Sequence, residues 1–155
     1  MAGLDVHIRW MIRRDMVEVL DIEKLCFPSP WSESQFIHHL RRRNTIGMVA
    51  ESKHRVLGFM VHELHKHHLH LINLAVEPRN QRAGVGTALM DKLVSKLSRE
   101  RRNRILTEVS EDNTDAHLFF KACGFVATEV VNNWFGNERD AYLFERRHRV
   151  AQGVT

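Results

Sequence analysis

A short basic segment rich in glycine has the residue types that bind a phosphate group. Gly84 and Gly86 stand in the run 79–87, which also carries Arg79 and Arg82 and follows an apolar stretch. Glycine lets a backbone approach a ligand closely, and the free amides at the start of a helix attract an anion. The segment therefore predicts a pyrophosphate-binding turn between a strand and a helix. A plain turn whose glycines serve packing is the alternative.

One acidic residue in an apolar segment is a candidate proton acceptor. Glu108 lies in the segment 105–109, and strand alternation places it on the face of Leu106, opposite Ile105 and Thr107. A carboxylate among apolar neighbours at the end of a strand can act as a general base. A solvated edge charge or a surface salt bridge is the competing interpretation.

Five histidines crowd one short stretch of the chain. Alternation places two of them, His68 and His70, on one face of a strand, which would permit a metal ion. Glu63 is the only acid nearby, and no cysteine stands at a familiar ligand spacing. We therefore expect a polar hairpin tip and no metal site. The five residues are His62, His65, His67, His68 and His70.

Aromatic residues near the two ends of the chain have two interpretations. They could line a groove for a peptide, or they could pack in the core. The four residues are Trp31, Phe36, Trp134 and Phe135. Two further histidines, His38 and His39, are expected on the surface of a helix.

Hydrophobic periodicity predicts the elements that must position these groups, in the order β-α-α-β-β-β-α-β-α-β-β. Ser32 and Gln35 form a capping box, Gly124 is a helix-ending glycine, and Gly136-Asn137 forms a turn. The predicted strands are 6–12, 45–51, 56–64, 68–76, 104–110, 125–134 and 141–145, and the helices are 14–27, 32–42, 84–97 and 114–122. This order indicates one mixed sheet with helices on both faces.

Composition excludes several classes of protein. The chain has 155 residues, of which 43% are hydrophobic and 27% charged, as in a globular domain. We expect a single domain over 1–149 and a frayed tail at 150–155. There is no apolar run of membrane-helix or signal-peptide type, so we expect a cytoplasmic protein without membrane contact. The two cysteines, Cys26 and Cys123, are expected to be free thiols.

The charge is mildly basic. Lysine and arginine number 23 and acidic residues 19, which gives a net charge of +4. This charge suits an anionic ligand, but the basic residues occur in short local runs typical of solvated surfaces. We expect no direct nucleic-acid role.

Several motifs together resemble a known family. The run 81–86, Gln-Arg-Ala-Gly-Val-Gly, resembles the (Gln/Arg)-x-x-Gly-x-(Gly/Ala) acetyl-CoA motif of the GNAT N-acetyltransferases. The segments 71–78, 106–109 and 119–125 look like the family's preceding strand, next strand and closing helix with its Gly-Phe signature. The resemblance covers nearly the whole chain. It is strongest to the ribosomal-protein alanine N-acetyltransferases, on the segments 26–32 and 139–141.

The resemblance implies an α/β GNAT fold. Its mixed, mostly antiparallel sheet would splay between the fourth and fifth strands, 68–76 and 104–110, with helices on both faces. Acetyl-CoA would be the cosubstrate, its pantetheine arm entering this gap and its pyrophosphate resting on the glycine turn. The implied cofactor-binding residues are Leu74, Ala75, Val76, Arg82, Ala83, Gly84, Val85, Gly86, Thr87, Asn113 and Phe120. As a residue before a helix, Asn113 is equally well explained as a plain cap.

The resemblance also implies acetyl transfer to a protein or peptide N-terminus, with a ribosomal protein as the leading candidate. Glu108 aligns with the subgroup's proton acceptor and would act through water. Two residues depart from the subgroup: Phe120 replaces the tyrosine that donates a proton to sulfur, and Ser110 replaces an arginine. Two alternatives stay open. One is acetylation of a small amine such as a polyamine or an antibiotic, and the other is an acyl-CoA-binding module with weak catalysis.

Overall fold

The computed structural model describes residues 5–136 and 139–148. These residues form two compact units, and each is described by itself. Unit 1 comprises residues 5–64 and 71–95, and unit 2 comprises residues 65–70, 96–136 and 139–148. The predicted tail 150–155 and Asn137 of the predicted turn lie outside the described residues, and the single domain over 1–149 stays a prediction.

Within residues 5–136 and 139–148, seven strands and four helices occur in the predicted order. The strands are β1 (His7–Trp10), β2 (Thr45–Ser52), β3 (Arg55–Leu64), β4 (Leu69–Val76), β5 (Arg104–Ser110), β6 (Val126–Val131) and β7 (Ala141–Arg147). The helices are α1 (Met16–Cys26), α2 (Glu33–Leu40), α3 (Val85–Val94) and α4 (Thr114–Ala122). Two short 3-10 turns, Arg13–Asp15 and Pro78–Asn80, precede α1 and α3.

The strands are ordered β1-β2-β3-β4-β5-β7-β6. The pairs β1-β2, β2-β3, β5-β7 and β6-β7 are antiparallel, and β4-β5 is parallel. The parallel ladder joins Leu69 to Ile105 and His70 to Leu106, at the start of both strands. Among the described residues, this ladder consists of those two pairs, and the splay between the two strands stays a prediction. The predicted fold class is confirmed.

Unit 1 has helices on both faces of its strands. Helices α1 and α2 bury Val19 and Phe36 against Val49 and Phe59 of β2 and β3, in one apolar cluster. Helix α3 covers the opposite face, where Gly58 permits a close approach. A Cβ at Gly58 would lie 2.9 Å from the Ala75 carbonyl oxygen and 3.1 Å from Val85. Any larger residue at Gly58 would push β3 away from its neighbours.

Unit 2 is built around aromatic packing between α4 and the strands. The Phe120 ring packs edge-on against Phe125 and Phe144, with centroids 5.1 and 6.1 Å away. The helix ends as predicted: Gly124 has φ +89°, and the Arg146 guanidinium donates to the Cys123 carbonyl oxygen at 2.8 Å. This donor satisfies one of the carbonyls that a helix leaves free at its end.

Most predicted boundaries differ from the structure by one to three residues. Strand β1 ends at Trp10 rather than 12, and β7 runs to Arg147 rather than 145. The capping box at Ser32 is confirmed, but α2 ends at Leu40 rather than residue 42. Helix α3 ends at Val94 rather than 97, because the Ser95 hydroxyl donates to the Lys92 carbonyl oxygen and competes with the helical bonds. Strand β6 ends at Val131 rather than 134, because Asn133 turns the backbone with φ +52°.

Two expectations from composition can be compared with the structure. Both cysteines, Cys26 and Cys123, are free, as predicted. No helix within the described ranges is long and apolar enough to cross a membrane.

A buried ion pair joins the first strand to the start of α1. Arg9 donates to both carboxylate oxygens of Asp15, at 2.8 and 2.9 Å, and also to Glu51. Asp15 is only 3% exposed and accepts a further bond from the Ile12 amide. Burial raises the pKa of the Asp15 carboxyl, but the bonds from Arg9 and Ile12 outweigh it, and the net pKa lies below its ordinary value.

We expect Asp15→Asn to lower the free energy of unfolding at pH 7 by about 2 kcal/mol, because it leaves a partly buried guanidinium without its bidentate partner. A carboxyl whose pKa is lower in the folded protein than in the unfolded chain stabilises the fold at pH values above its ordinary pKa. This contribution is lost as the pH falls through the pKa of the folded protein. The difference in stability between the parent and the variant, measured in thermal melts, should therefore disappear below pH 4. Glu51→Gln is the control and should give a smaller loss. An equally large difference in stability at pH 2 would contradict the prediction.

Candidate active site

The glycine turn of unit 1 leads into α3 with a strained backbone. Arg82 has φ +68° and Gly84 has φ +89°, both in the left-handed region that favours glycine. The Ala88 amide donates to the Gly84 carbonyl oxygen at 3.0 Å, which closes the first turn of α3. The backbone amides before Ala88, up to and including that of Thr87, have no acceptor within the helix, because the first turn of any helix leaves its amides unpaired. Arg82, Gly84 and Thr87 are exposed, as an anion site requires, whereas Val85 is buried and the Ala83 amide donates to the Asn80 carbonyl oxygen at 3.3 Å.

The end of β4 already has its own hydrogen-bond partners. The carbonyl oxygen of Val76 accepts from the Cys26 thiol at 3.2 Å and from the Gln81 side-chain amide at 3.1 Å. Burial raises the pKa of the Cys26 thiol, so it stays a neutral donor. Because a carbonyl has two lone pairs, the Val76 oxygen is fully used. The pairing of Leu74, Ala75 and Val76 with pantetheine stays a prediction.

A buried carboxylate fastens β4 to the segment between α1 and α2. Glu23 accepts from the Asn73 side chain and from the Trp31 amide, each at 2.9 Å. Burial raises the pKa of the Glu23 carboxyl, although both donors act in the opposite direction. Glu23 thereby fixes the position of the strand that carries Leu74 and Ala75. Periodicity could not reveal this contact, because it joins residues 50 positions apart.

Glu108 meets a histidine across the parallel pair of strands in unit 2. The Nε2 atom of His70 lies 2.5 Å from Oε1 of Glu108, and their side chains are 20% and 14% exposed. An ionised carboxylate can only accept, so the His70 Nε2 carries the hydrogen. The pair is therefore a hydrogen-bonded acid–base couple that is partly shielded from water.

Strand β5 confirms the predicted face of Glu108. Its residues alternate between buried and half-buried, with Ile105 and Thr107 buried and Leu106 and Glu108 half-buried. Glu108 is opposite Leu143 of β7, and its side chain is 14% exposed and contacts His70. The interpretation as a solvated charge does not fit this burial, whereas the salt-bridge interpretation agrees with the contact, and the role of Glu108 as a base stays a prediction. The partner His70 was missed, because only the register of β4 against β5 brings the two together.

The histidine-rich stretch is only partly a polar hairpin tip. His67 is exposed and His65 and His68 are half-buried, but His62 is fully buried inside β3. The expectation for His62 was therefore wrong: it lies inside β3, where both faces of the strand are buried, and not at the hairpin tip. A ring nitrogen of His65 lies within 4.8 Å of one of His70.

Asn113 and Phe120, the two predicted cofactor residues of unit 2, have structural roles. The Asn113 side chain accepts from the Ala116 amide at 3.1 Å, so it is the cap of α4. Phe120 is 6% exposed and belongs to the aromatic cluster with Phe125 and Phe144. Their contact with the cofactor stays a prediction.

The four aromatic residues that could line a peptide groove or pack in the core differ in their burial. Phe36 is fully buried, and Trp31 packs edge-on against it with centroids 5.0 Å apart. Trp134 and Phe135 are each 49% exposed. His39 was expected on the helix surface but is half-buried and stacked on Trp31 at 4.4 Å. Burial lowers the pKa of His39, whereas His38 is exposed as expected.

Comparison with known proteins decides the family. The acetyltransferase (GNAT) family model matches residues 16–125, which is most of the chain. This chain belongs to the acetyltransferase (GNAT) family. It is similar to the N-alpha-acetyltransferase of Sulfurisphaera tokodaii, with 25% identity over 155 residues, covering 91% of this chain and 92% of the relative. It is also 25% identical over 121 residues to the [Ribosomal protein bS18]-alanine N-acetyltransferase of Escherichia coli, covering 78% of this chain and 81% of that enzyme.

Solved structures of GNAT enzymes share the fold. The crystal structure of Ard1 from Thermoplasma volcanium superposes with a TM-score of 0.85 and 26% identity, covering 95% of this chain and 100% of that one. Arabidopsis thaliana Naa50 was solved with the bisubstrate analogue CoA-Ac-MVNAL. It superposes with a TM-score of 0.76 at 18% identity, covering 92% of this chain and 99% of that one. The GNAT fold and the predicted enzyme class, an N-acetyltransferase, are confirmed.

We expect Phe120→Tyr to lower the melting temperature without changing turnover by more than about twofold. The new hydroxyl enters a packed aromatic cluster, and a buried hydroxyl without a partner costs about 1–2 kcal/mol, or roughly 3–6 °C. Thermal melts and steady-state kinetics would measure both effects.

The matched control is Phe125→Tyr, which adds a hydroxyl to the same cluster at a position the subgroup does not use for proton donation. It should cost similar stability. A tenfold rise in turnover for Phe120→Tyr alone would show that a hydroxyl here donates a proton to the departing sulfur.

Proposed function

We propose that this GNAT N-acetyltransferase moves the acetyl group of acetyl-CoA to the α-amino group of a protein N-terminus, with Glu108 as the general base. The observation that carries the proposal is the half-buried Glu108 carboxylate bonded to His70 in the strand that follows the glycine turn and α3. The relatives named as N-alpha-acetyltransferase and as ribosomal-protein alanine N-acetyltransferase support this class of acceptor.

The basicity of the acceptor amine explains why one carboxylate is sufficient. An α-amine has a pKa of about 7.7–8.0, whereas a lysine side chain has a pKa of about 10.4. Near pH 7, deprotonation costs roughly 1 kcal/mol for the first and about 4–5 kcal/mol for the second. A partly exposed carboxylate such as Glu108 can remove the proton of an α-amine through a water molecule.

The transfer forms one bond and breaks another. The neutral amine attacks the thioester carbonyl carbon, its proton passes through water to the Glu108–His70 pair, and the C–S bond then breaks to release the CoA thiolate. A thiol has a pKa of about 8.5, so the thiolate leaves readily and takes a proton from water. This route needs no side-chain acid, which is consistent with Phe120 at the subgroup's tyrosine position.

His70 acts in this scheme as a positioning residue. Its Nε2–H bond holds Oε1 of Glu108, so the remaining oxygen, Oε2, is directed to the water that carries the amine proton.

Acetyl-CoA is the proposed cosubstrate because the glycine turn offers free amides and a basic side chain, and because Naa50, which shares the fold, was solved with a CoA conjugate. The pyrophosphate would rest on residues 82–87, and the pantetheine arm would run along β4. A ribosomal protein is the leading acceptor, since the relative from Escherichia coli is named for one.

We expect acetyl-CoA at 100 times its Kd to stabilise the protein by about 2.7 kcal/mol, a rise in melting temperature of roughly 5–10 °C. Gly84→Val should abolish this shift, because a β-branched residue does not adopt φ +89° and the turn must rearrange. The site has open space, with no heavy atom within 4 Å of an added Cβ, so steric clash is not the cause.

The matched control is Gly136→Val. Gly136 has φ +76°, lies outside the glycine turn, and likewise has no heavy atom within 4 Å of an added Cβ. It should lose stability by the same backbone strain yet keep the acetyl-CoA shift. If the parent shows no shift at millimolar acetyl-CoA, the cofactor assignment is wrong.

We expect Glu108→Gln to lower kcat by about 10²–10³ on a peptide with a free N-terminal alanine, the usual range for one acid–base group. Glu145→Gln is the control, because Glu145 lies on the neighbouring strand, is similarly buried, and forms ion pairs with Arg104 and Arg147. Mass spectrometry of the peptide measures the product directly. Faster acetylation of polyamines or aminoglycosides than of the peptide panel would favour the small-amine alternative.

Two variants of His70 separate its proposed role from a purely structural one. His70→Leu removes the bond to Glu108 and should lower kcat about tenfold with KM unchanged, because the interaction acts on the chemical step. His70→Gln keeps an amide donor and should restore part of that loss. Equal kcat for both variants would exclude a positioning role for His70.

A further inference from the structure

A row of three side chains crosses the strands of unit 2 at the position of Glu108. Glu108 of β5 and Glu129 of β6 are both directly opposite Leu143 of β7, which lies between them. Directly opposite residues of antiparallel strands share a face of the sheet, so all three side chains lie on one face. Helix α4 packs on the other face, where the His117 ring contacts Phe144. The row is therefore on the face of the sheet opposite α4.

A β-bulge turns Glu129 to this face. Ala127 is opposite Phe144. The next pair joins Glu129 to Leu143, so Thr128 is an extra residue in the strand. The Thr128 hydroxyl donates to the Leu143 carbonyl oxygen at 3.2 Å and holds the bulge. Without the extra residue, strand alternation would place Glu129 on the α4 face, so the bulge re-aims this one carboxylate.

The Glu129 carboxylate is exposed and has no cation beside it. Within residues 5–136 and 139–148, no ion pair or hydrogen bond involves its side chain. Glu145, two residues from Leu143 on the same face, forms ion pairs with Arg104 and Arg147. The strands thus supply cations for Glu145 and leave the charge of Glu129 for a cation from outside the chain.

The spacing of the row suits an extended peptide. Neighbouring strands are about 4.7–4.9 Å apart, so Glu108 and Glu129 are separated by two such spacings, about 10 Å. An extended chain advances about 3.3 Å per residue. With the acceptor amine at Glu108, a long side chain at the second or third residue of the acceptor can reach Glu129. The half-buried Leu143 offers an apolar surface between the two carboxylates.

We propose that Glu129 binds a lysine or arginine side chain at the second or third residue of the acceptor, and that this ion pair makes the enzyme select basic N-termini. The inference rests on the proposed function, because that function places the acceptor amine at Glu108. Glu129 is remote from the reacting atoms, so the ion pair is the same in the bound substrate and in the transition state. Such uniform binding lowers KM and leaves kcat unchanged. An exposed ion pair changes affinity by up to about fivefold.

Binding is measured first, without any use of activity. Three peptides begin Ala-Lys-Lys, Ala-Gln-Gln or Ala-Glu-Glu and are otherwise identical, with a fluorophore at the C-terminus. They are titrated by fluorescence anisotropy with the full-length protein in the presence of CoA. The parent should bind the lysine peptide about threefold to fivefold more tightly than the glutamine peptide, and about 0.5 M NaCl should reduce this preference.

Variants of Glu129 assign the preference to this residue. Glu129→Gln should abolish it, and Glu129→Lys should reverse it in favour of the glutamate peptide. Glu100→Gln is the matched control, because it makes the same charge change at an exposed position of unit 2 outside the sheet, and it should bind like the parent. No detectable binding, equal affinities of the parent for the three peptides, or an unchanged preference in Glu129→Gln would overturn the inference.

Steady-state acetylation, followed by mass spectrometry, separates this inference from the proposed function. The parent should show the same preference in KM with equal kcat, and an effect of Glu129→Gln on kcat alone would overturn a role in binding. Spermidine also carries a second cation, and its acetylation in preference to every peptide would overturn the peptide assignment. If the parent shows the binding preference but acetylates no acceptor, the proposed function is wrong and the binding site at Glu129 stands.

Discussion

The parallel pairing of β4 with β5 is the constraint on which the candidate active site depends. It joins Leu69 to Ile105 and His70 to Leu106, and in this register the His70 side chain reaches Glu108, two residues further along β5. A shift by one residue would turn Glu108 to the buried face of β5, because successive side chains of a strand point to opposite sides. An uncompensated carboxylate there would be strongly destabilising, so the same burial that forms the core also enforces the register.

The strand that supplies His70 is held by a different set of forces in unit 1. There β4 is fastened by the Glu23 carboxylate through Asn73, and β3 approaches it closely at Gly58. Burying Glu23 raises its pKa and opposes its ionised form, yet two donors satisfy its oxygens. The backbone at the end of β4 is thus positioned by polar contacts rather than by apolar packing alone. Such contacts give a strand a defined position, which a chain expected to bind a cofactor along its edge requires.

The glycine turn and the acid–base pair illustrate two kinds of functional residue. The turn depends on backbone conformation: Arg82 and Gly84 both take positive φ, and the Arg82 side chain is exposed. Glu108 depends on side-chain environment, because a neighbouring histidine and partial burial set its chemistry. The first kind is visible in a short motif, since glycine is needed locally. The second kind requires knowledge of which strands are neighbours.

The sequence by itself determined the order of the elements, the face of Glu108 and the position of the glycine turn. These follow from local rules: strand alternation, the Ser32 capping box and the glycines at 84 and 124 each act within a few residues. The ends of α3 and β6 escaped prediction, because a single serine hydroxyl and one residue with positive φ overrode the apolar pattern. Only the tertiary structure decided that His62 is buried, that Glu23 anchors β4, and that His70 meets Glu108. These contacts join residues far apart in the chain, and no local pattern specifies which strands pair or in which register.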